Sequence, residues 1–277
     1  MREHNCNNNI NLLNLAKELK NAKALSKLQT KFYKKLGLKA IAGAEIEFYL
    51  APSENIKFLE KTLGFKFIKE KGSNQWEVNF PPQEDLEKLV ILIDNFKLQL
   101  ETLGRTSGEE VNFKAKPYKD DYGSALHIHL NFINKKGANF CANEGNLTLI
   151  ANSLCSHLDK TFLVFAPNTD SYNRFDQRFM APINISYGPN NRTTAIRIPD
   201  SYPKRIEHRV AGSDADPYLV VYSIFKAVYL GLLNTLEIPL IEKTYGNAYD
   251  MQYNLKSFPS NIIEAEAIFN TKFFEES

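Results

Sequence analysis

Glu45 and Glu47 interrupt an otherwise apolar run, AGAEIEFYL. In an extended chain the two-residue period sets both carboxylates on one face, roughly 7 Å apart. There they repel unless a cation lies between them or solvent bathes that face. Glu70 and Glu77 flank Gly72, Ser73 and Asn74 in EKGSNQWEVNF, a bend that returns the second acid toward the first; alone, they are equally readable as surface acids. His127 and His129 in GSALHIHL share a strand face by the same period, backed by Leu126, Ile128 and Leu130. A strand histidine on its own is more often a hydrogen-bonded structural residue than a ligand, and the pair shifts that balance modestly.

The densest cluster joins Arg192 and Arg197 of NNRTTAIRIP to Arg205, Glu207 and Arg209 of KRIEHRVAG. Guanidinium groups beside a carboxylate suit bidentate binding of phosphate or carboxylate, with an exposed salt-bridge ladder as the plainer reading. Glu45, Glu47, Glu70, Glu77 and Glu207 with a histidine and several arginines are what metal-assisted phosphoryl transfer requires. The acids hold the ions, the ions bridge phosphates, and the arginines neutralise developing charge. The sequence contains no GxxxxGK[ST] or GxGxxG, so a glycine-rich phosphate cradle is unsupported.

Elements that position these residues are legible in the periodicity. Leu12, Leu15, Leu19, Leu25, Leu28 and Phe32 recur at helical spacing and predict one or two helices ending at Gly37. Amphipathic helices are predicted after Pro81-Pro82 (Leu86 to Leu100), over Leu147 to Phe165, and from the Asp216-Pro217 cap to about Leu233, with a short one ending at Gly64. Between them lie extended runs at 40–51, 65–69, 75–80, 111–113, 125–133, 183–187 and 193–198. Strands come in neighbouring groups, which predicts an α+β fold with a largely antiparallel sheet flanked by helices.

A chain of 277 residues, 43% hydrophobic and 12% aromatic, supports a packed core. Thirty-four basic against 32 acidic residues, without a basic block, argue against nucleic acid. The longest apolar run, Leu89 to Ile93, is far too short to span a bilayer, and MREHNCNNN has no apolar signal core. The expectation is a cytoplasmic protein with no membrane partner. Cys6, Cys141 and Cys155 lack CxxC spacing and suit reduced thiols.

In order, GAEIEFYL, the Glu-x6-Glu of EKGSNQWE, VNFKAKP, GSALHIHL, FAPNTDSYNRF, AP-x-NISYGPNNRTTAIRIP and RIEHRVAGSDADPYL resemble successive signature blocks of the glutamine synthetase superfamily. They run from Gly43 to about Leu233, and RIEHRVAG followed by DADPYL is most similar to the γ-glutamylpolyamine synthetase-like branch. The resemblance implies a catalytic domain over 39–277, short at its C-terminal end, with a helical arm at 1–38 where the family usually has a β-grasp domain. It implies a homo-oligomer that uses ATP with Mg²⁺ or Mn²⁺. Block by block, it puts Glu47, Glu70 and Glu77 on a first metal position and Glu45, His127 and Glu207 on a second. Gly123 and Arg174 would engage the amino-acid substrate, Arg192, Arg197 and Arg209 the phosphoryl group and reacting carboxylate, and His129 and Arg205 the nucleotide. Tyr122 stands where the family commonly has a substrate-contacting asparagine, and Asp170 replaces another asparagine. Met180 stands where glutamine synthetases have the glutamate that closes over ammonium. The expected activity is ligation of a small-molecule acid to an amine other than ammonia through an acyl phosphate, giving a γ-glutamyl amide. The alternatives are a non-catalytic nucleotide- and metal-binding regulator, or a phosphotransferase on another acceptor.

Overall fold

The computed structural model describes residues 11–51, 55–235 and 238–275. Cys6 and the first ten residues of the expected arm lie outside the described residues. An eight-stranded sheet forms the scaffold. In chain order its strands are β1 (Leu38–Leu50), β2 (Ile68–Lys69), β3 (Gln75–Gln83), β4 (Val111–Asn112), β5 (Leu126–Asn134), β6 (Tyr187–Pro189), β7 (Ile196–Ile198) and β8 (Ile206–His208). They are arranged β2-β3-β1-β5-β8-β7-β6, with β4 paired to β1. All pairings are antiparallel except β6 with β7.

Strand alternation divides the sheet into an apolar face and a chemical face. Ala40, Ala42, Ala44, Ile46, Phe48 and Leu50 of β1 are buried, as are Leu126, Ile128, Leu130 and Phe132 of β5. The helices α2 (Ala24–Leu36), α4 (Leu86–Ser107), α5 (Glu144–Phe165) and α6 (Pro217–Leu233) complete this core. The intervening residues, Glu45 and Glu47 on β1 and His127 and His129 on β5, must then point to the opposite face. The helix starts follow their caps: Asp85 accepts from Glu87 N and Lys88 N, and Asp216 accepts from Leu219 N with Pro217 behind it.

The described part of the predicted arm is not detached. It forms α1 (Leu12–Asn21) and α2, and Phe32 is fully buried, stacked on Phe132 at 5.3 Å and against Phe225 at 4.8 Å. Burying its apolar stripe is worth more than leaving it in water, so the segment becomes part of the core.

Three predicted strands differ in extent. Only Ile68 and Lys69 of 65–69 pair, because Phe65 and Phe67 turn inward against Phe96. The run 183–187 pairs regularly only from Tyr187: Ile185 N donates to Lys256 O and Phe258 N to Ile183 O, so these residues are held by an irregular segment. β3 continues through Pro81 and Pro82, tolerated because the β1 register slips there, between Ala42 and Ala44. The stretch ending at Gly64 is α3 (Ile56–Leu63), and a further short helix, α7 (Ile262–Ile268), lies near the C-terminal end of the described residues. Cys141 and Cys155 are free and buried, and burial pushes both thiols up. Among the described residues, no helix is long and apolar enough to cross a membrane.

Candidate active site

Register builds the site. On adjacent strands Glu47 faces Glu77, Glu45 faces His127, His129 faces Glu207, and Arg197 faces Glu207. These residues form a diagonal belt across β3, β1, β5, β8 and β7 on the face away from the helices. No pair of them is close in sequence except within a strand, so folding alone brings the four motifs together.

The belt's charges are mutually compensated at one end and concentrated at the other. Glu207, only 1% exposed, accepts from Arg197 Nη1 at 2.6 Å and from Arg209 Nη1 at 2.5 Å. Burial pushes its carboxyl up, but Arg209, the two histidines and Arg197 prevail and hold it down at about 2. Burial likewise raises Glu45, and its interactions with the nearby His127 and His129 rings overcome it, leaving the carboxyl far below its usual range. At the other end burial raises Glu47, and it raises Glu77 to about 8 with the help of Glu45, Glu47 and Glu70. Glu70 lines the same cleft as Glu47, and its charge adds to the rise of Glu47 and Glu77.

An acid group of this kind with orphaned imidazole nitrogens is suited to a hard divalent cation. His127 Nδ1 is buried without a hydrogen bond, 3.5 Å from Glu45 Oε2 and 3.8 Å from Glu207 Oε1. His129 differs. Arg205 Nε donates to its Nδ1 at 3.1 Å, so in the neutral ring the proton sits on Nε2, the atom 2.9 Å from Glu45 Oε1. That tautomer offers no lone pair at Nε2. Among the described residues two groupings have ligand atoms within 4.8 Å of one another, Glu45 with Glu77 and His127, and Glu45 with His129 and Glu207; neither includes Glu47 or Glu70. The tautomer argues against a ligand role for His129 in the second. Glu47 is held in place by Ala125 N at 2.8 Å and Gln75 Nε2 at 3.3 Å.

Beside the belt lies an open cleft, with a cavity volume of about 60 Å³, lined by Glu47, Glu70, Tyr122, Gly123, Arg174, Met180, Arg192 and Arg209, among others. Arg174 is buried and its Nη1 and Nη2 donate to Val210 O and Arg209 O at 2.8 and 2.9 Å. Two of its nitrogens are therefore committed to backbone, and what it adds to the cleft is chiefly charge. Arg197 and Arg209 each keep a buried Nε without a partner, whereas Arg192 is exposed. Gly123 is required sterically: a Cβ there would lie 2.7 Å from Arg174 Cγ and 2.8 Å from Ala115 O. Gly123→Ala is expected to lower stability by about 1–3 kcal/mol, read as a drop in denaturation midpoint. Asp170 stands outside the cleft's lining, on the surface with Lys114 at 3.7 Å.

Sequence reasoning missed Gln75, Lys71 and His208. Gln75 Nε2 bridges Glu47 to Gly123 O, a role that only register reveals. His208 points to the opposite side of β8 from Glu207, with its ring 4.6 Å from that of Phe165. Burial, then His127 and Arg174, lowers it from 6.5 to about 3. The folded state therefore binds fewer protons than the unfolded one between those values, and stability falls as pH drops below 6.5. The expected loss is about 1.4 kcal/mol per pH unit, seen as a steeper decline between pH 6.5 and 5 than in His208→Gln, by urea unfolding at each pH.

Residues 61–274 match the family described as glutamine synthetase, catalytic domain. The chain belongs to that family. Over 196 residues it is 36% identical to γ-glutamylputrescine synthetase PuuA of Escherichia coli K12, covering 67% of this chain and 40% of that protein. Over 180 residues it is 31% identical to γ-glutamylethanolamide synthetase GlnA4 of Streptomyces coelicolor, covering 63% and 38%. The chain thus spans about two fifths of the length of these glutamine synthetase relatives. The solved structure of a GmaS–ADP complex superimposes with a TM-score of 0.74 over 88% of this chain and 66% of that one, at 21% identity, which establishes a shared fold.

Proposed function

We propose that this glutamine synthetase-family domain joins a carboxylic acid to an amine other than ammonia at the expense of ATP, forming a γ-glutamyl amide. The observation that carries this reading is the belt: carboxylates at one end, guanidinium groups at the other, opposed across strands on one face and opening on a cleft lined by charged and aromatic side chains. The names of the relatives in Escherichia coli and Streptomyces coelicolor, both γ-glutamyl amide synthetases, agree with it.

In this reading Glu47, Glu70 and Glu77 hold one divalent ion and Glu45, His127 and Glu207 a second, Mg²⁺ or Mn²⁺. When bound, such ions supply positive charge to the triphosphate. The chain's own residues do the rest. Arg205 fixes the His129 ring beside the nucleotide, and Arg192, Arg197 and Arg209 offer guanidinium N–H groups to the transferring phosphoryl group. A bond forms between a substrate carboxylate oxygen and the γ-phosphorus while the bond to the β–γ bridging oxygen breaks, releasing ADP. The neutral amine then attacks the acyl carbon, loses one proton, and expels inorganic phosphate. Charge stabilisation in a partly dry cleft supplies most of the rate. Gly123, Arg174, Tyr122 and Met180 shape the acid and amine pockets. With an apolar thioether where a carboxylate would hold ammonium, a larger acceptor is favoured. Assembly as a homo-oligomer belongs to the same reading.

ADP release by the purified chain with Mg²⁺ or Mn²⁺ tests it across a panel of acids and amines. Release that needs both an acid and an amine is the expected result. Release that needs an acid but no amine would instead indicate a phosphotransferase.

A further inference from the structure

The acceptor side of the cleft carries a charge pattern that the proposed function does not use. Its wall is formed by Tyr122, Phe179 and Met180, whose rings and thioether would meet an incoming amine. Aromatic faces often receive organic cations, yet here they are attended by the chain's own. Lys71 Nζ stands 5.8 Å from the Tyr122 ring centre and 3.9 Å from Met180 Sδ. Lys116 Nζ lies 3.6 Å from the Phe179 ring centre, with the Arg178 guanidinium carbon 5.3 Å from the same ring. Arg178 is paired with Asp176 and Lys116 donates to Asp121 O. Among the described residues Lys71 is given no carboxylate partner, and it is exposed at the cleft. The acids that line the cleft, Glu47 and Glu70, belong to the metal-holding end of the belt, and Lys71 is the cation beside Tyr122 and Met180 on the acceptor wall.

We propose that Lys71 is a specificity-determining residue that selects an acceptor amine carrying an anionic group at its far end and disfavours a diamine. The inference rests on the ligase reading above and narrows its acceptor. A unit charge about 6 Å from Lys71 at the cleft surface changes the transition-state energy enough for roughly tenfold discrimination, and charge reversal doubles the logarithm of that effect.

The test is a comparison of kcat/KM for β-alanine, propylamine and putrescine, with hydroxylamine as a small acceptor that does not reach Lys71, in the unaltered chain, Lys71→Ala and Lys71→Glu. The expected order is β-alanine, propylamine, putrescine, with about tenfold at each step and so about hundredfold between the extremes. Lys71→Ala should bring the ratio close to one and Lys71→Glu should invert it, while hydroxamate formation stays within about threefold in all three. Preference for putrescine in the unaltered chain, or an order unmoved by Lys71→Glu, with hydroxamate still formed, would overturn this inference and leave the ligase reading standing. Absence of hydroxamate and of every amide product would overturn both.

Discussion

Replacing Glu207 by alanine is expected to cost about 3–5 kcal/mol of stability and to lower ADP release by ~10²–10³-fold. The carboxylate is buried between two guanidinium groups, each within hydrogen-bond distance of one of its oxygens. Removing it leaves Arg197 and Arg209 with uncompensated charge in a region where water cannot replace the lost partner. Glu207→Gln separates structure from chemistry. The amide keeps one acceptor oxygen and the side-chain volume, so its unfolding midpoint should lie between those of the unaltered chain and the alanine variant, while its activity should be as low as that of alanine. Equal activity in Glu207→Gln and the unaltered chain would remove Glu207 from the metal-holding set.

Glu45→Gln is expected to weaken one of two Mn²⁺-binding steps by at least ~100-fold and to leave the other within a few-fold, measured by calorimetric titration. Glu45 lies 3.5 Å from His127 Nδ1, an imidazole nitrogen that lacks a hydrogen bond, whereas Glu47 and Glu70 line the cleft outside the groupings that Glu45 joins. The alternative is that Glu45 bridges both ions, as its proximity to Glu77 and His127 on one side and His129 and Glu207 on the other allows. Loss of both binding steps in Glu45→Gln would favour that arrangement. His129→Ala discriminates further: with Arg205 donating to Nδ1, loss of the ring should spare ion binding and weaken ATP binding instead.

Much of this was legible in the residue pattern because period-two alternation carries real geometric content. Glu45 with Glu47, and His127 with His129, share faces in the structure because Ile46 and Ile128 between them are committed to the core. The convergence of Glu70 with Glu77 was not determined by sequence. It depends on β2 and β3 folding back antiparallel, with Ile68 opposite Glu77. Register between distant strands was equally hidden, since nothing local makes Glu207 of β8 face His129 of β5. The short strands β6, β7 and β8 span three residues each and lack a periodic signature of their own. They exist because neighbouring strands supply their hydrogen-bond partners. Arg174 shows the remaining limit: the family resemblance implies that it engages the amino-acid substrate, and only packing discloses that two of its nitrogens also brace the backbone at Val210 and Arg209.

An acyl phosphate formed on the substrate carboxylate would hand one of that carboxylate's oxygens to the released phosphate, which oxygen-isotope transfer detects. Glutamate labelled with ¹⁸O in its side-chain carboxylate would be incubated with the chain, ATP, Mg²⁺ and hydroxylamine, and the released inorganic phosphate analysed by mass spectrometry. One labelled oxygen in each phosphate formed is the expected result, because the carboxylate oxygen bonded to phosphorus leaves with it. Phosphate released without label would contradict the acyl-phosphate mechanism.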